Sequence, residues 1–148
     1  MKKNFVIPLV ISIVLGFISA QIVYSTYRKN LENTDYNVYL IQAGSYNNKD
    51  DLEKDFSLDD EYIILEEDGV YNVYVGMTTD LINANKIKNL YSNKNYDTYI
   101  KPTVVNNIEF VSNLEQYDIL MSEVDNEENI ISINDVILSS YEEMVLGK

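Results

Sequence analysis

The stretch YIILEEDGVYNVYVGMT (residues 62–78) predicts a β-hairpin, and the rest of the fold can be worked out from it. Two runs rich in β-branched and aromatic residues flank the dipeptide Asp68-Gly69, which favours the tight turn between antiparallel strands. Toward the N-terminus, residues 36–46 (YNVYLIQAGSY) have the same strand-like composition. We therefore predict three strands, over residues 36–46, 62–66 and 70–78.

Helical signals lie between these strands and after the hairpin. Residues 47–56 begin with asparagines and place apolar side chains four apart, which predicts a short helix with one buried stripe. Residues 79–90 predict a second helix, capped by its first two residues. Residues 96–104 predict a last strand, and Pro102 within it suits an edge strand.

The order strand, helix, strand, strand, helix, strand is typical of a split βαβ (βαββαβ, ferredoxin-like) fold. With right-handed crossovers it gives a four-stranded antiparallel sheet with both helices on one face. The first and third strands are then central. The predicted class is α+β, with this domain over residues 36–104.

Residues 105–148 form an acidic extension with ten Asp or Glu residues and one lysine. Apolar periodicity predicts a helix over 107–123. After the polar break VDNEEN (124–129), Ser132 or Asn134 is expected to cap a final helix that Gly147 ends. Two interpretations stay open: the helices pack beside the sheet, or they dock a basic partner protein.

The N-terminal region predicts a membrane anchor. Residues 5–27 are apolar and uncharged, and about twenty such residues cross a hydrocarbon core of roughly 30 Å. Positive charges at residues 1–4 favour a cytoplasmic N-terminus and an extracytoplasmic C-terminal domain. Residues 28–35 read as a short stalk. The alternative is a signal peptide cleaved after Ala20, which we consider weaker because the apolar run continues beyond that residue.

Composition excludes several function classes. The formal charge is −13, from 11 basic and 24 acidic residues, which argues against nucleic-acid binding. Without cysteine or histidine the chain cannot form disulfides, zinc–thiolate sites or Ser-His and Cys-His nucleophile pairs. The acidic clusters fit no EF-hand spacing. We predict no cofactor, no metal site and no enzymatic activity.

Alternation along the two central strands predicts a ligand-binding face. Gln42, Asn72 and Tyr74 are expected to share the sheet face that the helices leave open. Amides pair with sugar hydroxyl or acetamido groups, and a tyrosine ring stacks on a sugar. A glycan is therefore the predicted ligand, against the plainer interpretation of a solvated surface. Truncating Gln42 and Tyr74 should then leave stability nearly unchanged.

Two motifs resemble the SPOR (sporulation-related repeat) family of domains. YLIQAGSY (residues 39–46) is similar to the family's first-strand signature, and VYNVYVGMT (70–78) is similar to its third-strand signature. Met77-Thr78 replace the usual Pro-Phe, and Asn72 replaces a common basic residue. The resemblance covers residues 36–104 and implies the same split βαβ fold.

Such domains bind septal peptidoglycan, preferring glycan strands without stem peptides, and commonly sit outside the cytoplasm on one membrane anchor. The resemblance adds Ser45 to Gln42, Asn72 and Tyr74 as expected glycan-binding residues. It implies a non-catalytic module at division or sporulation septa. The alternative is a membrane-tethered protein-interaction module that uses the acidic C-terminal helices.

Overall fold

The computed structural model describes residues 19–27 and 34–147. The chain divides into two compact units, Met1–Thr34 and Asp35–Lys148. In the first, residues 19–27 are helical (α1). No helix among the described residues is long and apolar enough to cross a membrane. Most of the predicted span over 5–27 lies outside the described residues, and the anchor stays a prediction.

The second unit carries the predicted alternation of strands and helices. Its elements are β1 (Tyr36–Tyr46), α2 (Lys49–Asp55), β2 (Ile63–Glu67), β3 (Val70–Thr78), α3 (Leu81–Asn93), β4 (Tyr99–Val105), α4 (Ile108–Ser122) and α5 (Glu127–Leu146). The antiparallel sheet has the order β2-β3-β1-β4, so the first and third strands are central, as predicted. The α+β split βαβ arrangement is confirmed.

The hairpin turn forms at the predicted dipeptide. Glu67 pairs with Val70, and both residues between them have positive φ, 53° at Asp68 and 79° at Gly69. Two successive positive φ values define the type I′ turn, whose twist matches that of the flanking strands. The local sequence therefore determines the register of β2 against β3.

Helices α2 and α3, which connect strands of the sheet, pack against it. Helix α2 contacts β1, and α3 contacts β1, β3 and β4. The approach of α3 is close: a Cβ at Gly76 would lie 2.7 Å from Ile87 Cγ2 and 2.9 Å from Asn134 Oδ1. Only glycine fits at that position of β3 without a shift of its neighbours.

The C-terminal helices complete the core, which supports the packing interpretation over a free docking element. Helix α4 contacts β3, and α5 contacts both β3 and β2. Leu40, Met77 and Tyr74 lie on the same face of the sheet as Gln42, and each is at most 2% exposed. The prediction that this face is left open is therefore wrong at these three residues.

Helix α5 begins earlier than predicted. Asn126 caps it by accepting from Asn129 N, so Glu127–Asn129 are helical and the predicted polar break is shorter. Asn134, a predicted cap, lies within the helix and is 1% exposed. Its Nδ2 donates to Val75 O at 2.5 Å, satisfying a carbonyl of β3 beyond the end of β2 pairing. Gly147 ends the helix with a positive φ, as predicted.

Two bulges interrupt the pairing of the central strands. Ile41 pairs with Gly76, and Gln42 then pairs with Tyr74, which leaves Val75 as an extra residue in β3. The next pair, Gly44 with Val73, leaves Ala43 as an extra residue in β1. The two bulges cancel, so the register on either side of them is the same.

Candidate functional site

The structure places Gln42, Asn72 and Tyr74 on one face of the sheet, as predicted. Gln42 is the direct cross-strand partner of Tyr74, and its Nε2 donates to Asn72 Oδ1 at 3.2 Å and to Gly44 O at 3.3 Å. Ser45 pairs with Asn72 and therefore shares their face. The bulges are the cause, because in an unbroken register Gln42 would oppose Val75 and Ala43 would oppose Tyr74.

The prediction that this whole face is open is wrong. Tyr74 is 0% exposed and Asn72 is 8% exposed. The C-terminal helices cover Tyr74 and Asn72. Tyr141 in α5 lies near this part of the sheet, because the charges of Glu67 and Lys101 act on its phenol. Tyr74 cannot stack on a sugar in this state, whereas Gln42 is half-buried and Ser45 is exposed.

A charge network surrounds the Tyr74 hydroxyl. Glu67 Oε2 accepts from Asn72 Nδ2 at 2.6 Å, from Tyr74 Oη at 2.7 Å and from Lys101 Nζ at 2.7 Å. Lys101 Nζ also donates to Tyr74 Oη at 2.7 Å. The network joins β2, β3 and β4 across the face.

The network shifts the pKa of each of its titratable members. Burial raises the pKa of Tyr74 to about 12, with Lys101 opposing the rise and Glu67 adding to it. Burial would raise the pKa of Glu67, but hydrogen bonds from Lys101, Tyr74 and Asn72 hold it below its usual value. Burial would lower the pKa of Lys101, but Glu67 and Tyr74 raise it. At neutral pH the pair is therefore a carboxylate and an ammonium.

The lowered pKa of Glu67 predicts an acid-sensitive contribution to stability. A carboxyl group with a depressed folded-state pKa stabilises fully above roughly pH 5, and this contribution is lost as the pH falls below about 4. We expect Glu67→Gln to lower the unfolding midpoint at pH 7, modestly because the side chain is 42% exposed. The difference from the wild type should shrink at pH 3. A constant difference at both pH values would contradict the assignment.

The open part of the face lies along β1 and β4. Tyr99 pairs with Gln42 across the strands and is 61% exposed. Its Oη donates to Asp97 Oδ2 at 2.8 Å, which fixes the direction of the ring. Lys101, two residues further on β4, has a side chain that is 38% exposed. We call Gln42, Ser45, Tyr99 and Lys101, with Glu67, the open polar patch.

Sequence reasoning missed three of these five residues. Glu67 follows the predicted strand 62–66, Tyr99 and Lys101 lie in the predicted strand 96–104, and none of them is among the predicted glycan-binding residues. A usable signal existed, because alternation along β4 places Tyr99 and Lys101 on one face. The pairing register of β4 against β1, which brings that face beside Gln42, cannot be read from the strand alone.

Nothing in the described part of the chain is arranged as a metal centre. No group of three or more Asp and Glu side chains within residues 19–27 and 34–147 is placed to hold a metal ion. The chemistry of the patch is that of a binding surface: one exposed ring, amide and hydroxyl groups, and a paired charge.

Comparisons with known proteins give one structural match. No family model matches the chain. No curated protein matches it either. Among solved structures, it is similar to the peptidoglycan-binding domain of the B. subtilis cell wall lytic enzyme CwlC. The similarity covers 48% of this chain and 95% of that one, with 20% identity and a TM-score of 0.39.

Proposed function

We propose that this chain is a non-catalytic glycan-binding module whose ligand is the glycan strand of peptidoglycan, bound at the open polar patch. The observation that carries the proposal is the exposed ring of Tyr99 on the residue that pairs directly with Gln42 across the strands. A ring beside an amide suits a sugar, because the ring stacks on C–H groups while the amide bonds hydroxyl or acetamido groups.

The remaining groups of the patch fit an amino-sugar polymer that carries carboxylates. Lys101 is held by Glu67 but keeps a side chain that is 38% exposed, so it can also face a carboxylate of the ligand. A glycan strand without stem peptides presents such a carboxylate on alternate sugars. The SPOR resemblance of residues 39–46 and 70–78 supports the same ligand, and with it the proposal of a role at division or sporulation septa.

We propose further that the module acts outside the cytoplasm. The apolar run over residues 5–27 supports a single membrane anchor with a cytoplasmic N-terminus. Residues 28–35 would then form the short stalk between the anchor and the domain.

The proposal is tested by sedimentation of the unit Asp35–Lys148 with amidase-treated sacculi. We expect Gln42→Ala combined with Tyr99→Ala to weaken binding about tenfold, through lost stacking and hydrogen bonding. Val104→Ala is the matched control, since Val104 is 53% exposed on the same strand and an odd number of residues from Tyr99. Absence of co-sedimentation by the folded wild type would refute the proposal.

A further inference from the structure

A groove between α3 and α4 has features that glycan binding does not use. It has a volume of about 490 Å³ and lies between the first turns of α3 and the last turns of α4. On its two sides stand Ile82 and Ile119, which are 76% and 65% exposed. Two large apolar side chains that line the same groove and stay exposed to solvent indicate a contact surface.

Polar bonds join α4 to α3 and to the two threonines just before it. Asp118 is 6% exposed and accepts from Thr79 N and Thr79 Oγ1, both at 2.7 Å, and from the hydroxyl of Thr78. Lys86 Nζ donates to Met121 O at 2.9 Å and to Val124 O at 2.8 Å. These bonds tie α4 to the first turns of α3, while Ile82 and Ile119 remain exposed.

The groove also holds a buried acceptor. Asn83 lines it and is 1% exposed. Its Nδ2 donates to Asp118 O at 2.9 Å, whereas its Oδ1 accepts no hydrogen bond from the described residues. A buried acceptor without a donor is unfavourable, so the polar packing at the groove is incomplete in the free chain.

The charge of the groove selects the partner. Its lining contains the carboxylates of Asp80, Glu115 and Asp118 and one ammonium, Lys86, which is already bonded to carbonyl oxygens. A membrane or nucleic-acid surface is anionic and is repelled. A second copy of this chain would place carboxylates against carboxylates.

We propose that this groove binds an amphipathic helix of a partner protein whose apolar stripe is flanked by lysine or arginine. One apolar side chain of that helix lies between Ile82 and Ile119, and its basic residues face Asp80 and Glu115. Shallow grooves between two helices bind amphipathic helices in this way. The surface is separate from the open polar patch, so glycan and partner can be bound together.

The test is an NMR titration of the isotope-labelled full chain with a 14-residue amphipathic peptide of leucine and lysine. A peptide of the same composition in scrambled order and a leucine–glutamate peptide are titrated separately as negative controls. We expect amide shifts confined to residues 80–86 and 115–122, produced by the amphipathic basic peptide alone.

Ile82→Ser with Ile119→Ser should weaken binding of this peptide about tenfold or more. The matched control is Val136→Ser with Val145→Ser, at residues that are each 45% exposed on α5.

Several results would overturn the proposal. These are shifts spread over the whole acidic surface, equal binding of the scrambled peptide, or binding that the isoleucine variant leaves unchanged. Self-association of the free chain through residues 80–86 would make a second copy the occupant instead. If the serine variant fails to fold, Glu115→Lys replaces it. This change should weaken binding of the basic peptide because it puts a positive charge beside the peptide's lysines. Sedimentation with sacculi should be the same for Ile82→Ser with Ile119→Ser and wild type, which keeps this test independent of the glycan proposal.

Discussion

Deletion of residues 106–148 is expected to abolish cooperative unfolding of the domain. Helices α4 and α5 contribute apolar side chains to the core that are each at most 8% exposed: Phe110, Val111, Leu114, Met121, Ile130, Ile137, Leu138 and Tyr141. Each is worth roughly 1.5–3 kcal/mol when fully buried, so together they match or exceed the 5–15 kcal/mol of a typical domain. Circular dichroism and urea unfolding of residues 35–105 would show no sigmoidal transition.

The matched control for this deletion is the unit Asp35–Lys148, which keeps both helices. It should unfold in a single transition. If residues 35–105 instead unfolded cooperatively with a midpoint near that of the control, the C-terminal helices would be a detachable layer. Tyr74 would then be available to a ligand whenever they detach.

Tyr74→Ala is expected to lower the free energy of unfolding by about 3–5 kcal/mol, the usual cost of truncating a fully buried aromatic side chain. The ring is 0% exposed at the centre of the sheet, and the truncation also removes a hydroxyl that bonds Glu67 and Lys101. The sequence-based expectation of near-unchanged stability is thereby reversed. Denaturant unfolding of the single variant measures the effect directly.

Two further variants separate the ring from its hydroxyl and from exposed tyrosines. Tyr74→Phe keeps the ring, so we expect a loss of only about 1 kcal/mol. Tyr99→Ala removes a ring that is 61% exposed and should change stability little while reducing glycan binding. A Tyr74→Ala variant as stable as Tyr99→Ala would mean that the ring is not part of the core.

The split βαβ fold could be predicted because its signals are local. The Asp68-Gly69 turn, the helix caps and the apolar spacing of each helix depend on neighbouring residues alone. The role of residues 105–148 could not be predicted in the same way. The apolar periodicity of these helices predicts that each buries one face. It does not identify the surface that covers that face, which can be this sheet or another protein.

The candidate site was half predictable for a related reason. Alternation predicted Gln42, Asn72 and Tyr74 on one face, where the two bulges place them, but exposure depends on what packs over that face. Tyr74 lies beneath the C-terminal helices, and Tyr99 lies beyond them in the open polar patch. The identity of the accessible aromatic residue is thus decided by long-range packing, which no strand motif encodes.

The bulges at Ala43 and Val75 offset each other, so β1 and β3 keep the same pairing register before and after them. Each extra residue is accommodated where it stands, because Gln42 still pairs with Tyr74 between the two bulges and Gly44 still pairs with Val73 beyond them. Loss of Ala43 and Val75 together would leave Gln42 opposite both Tyr74 and Tyr99 and would reduce the local twist of the two strands. Natural or designed relatives that lack both residues should therefore keep Gln42 on the same face as the two tyrosines, in a straighter pair of strands.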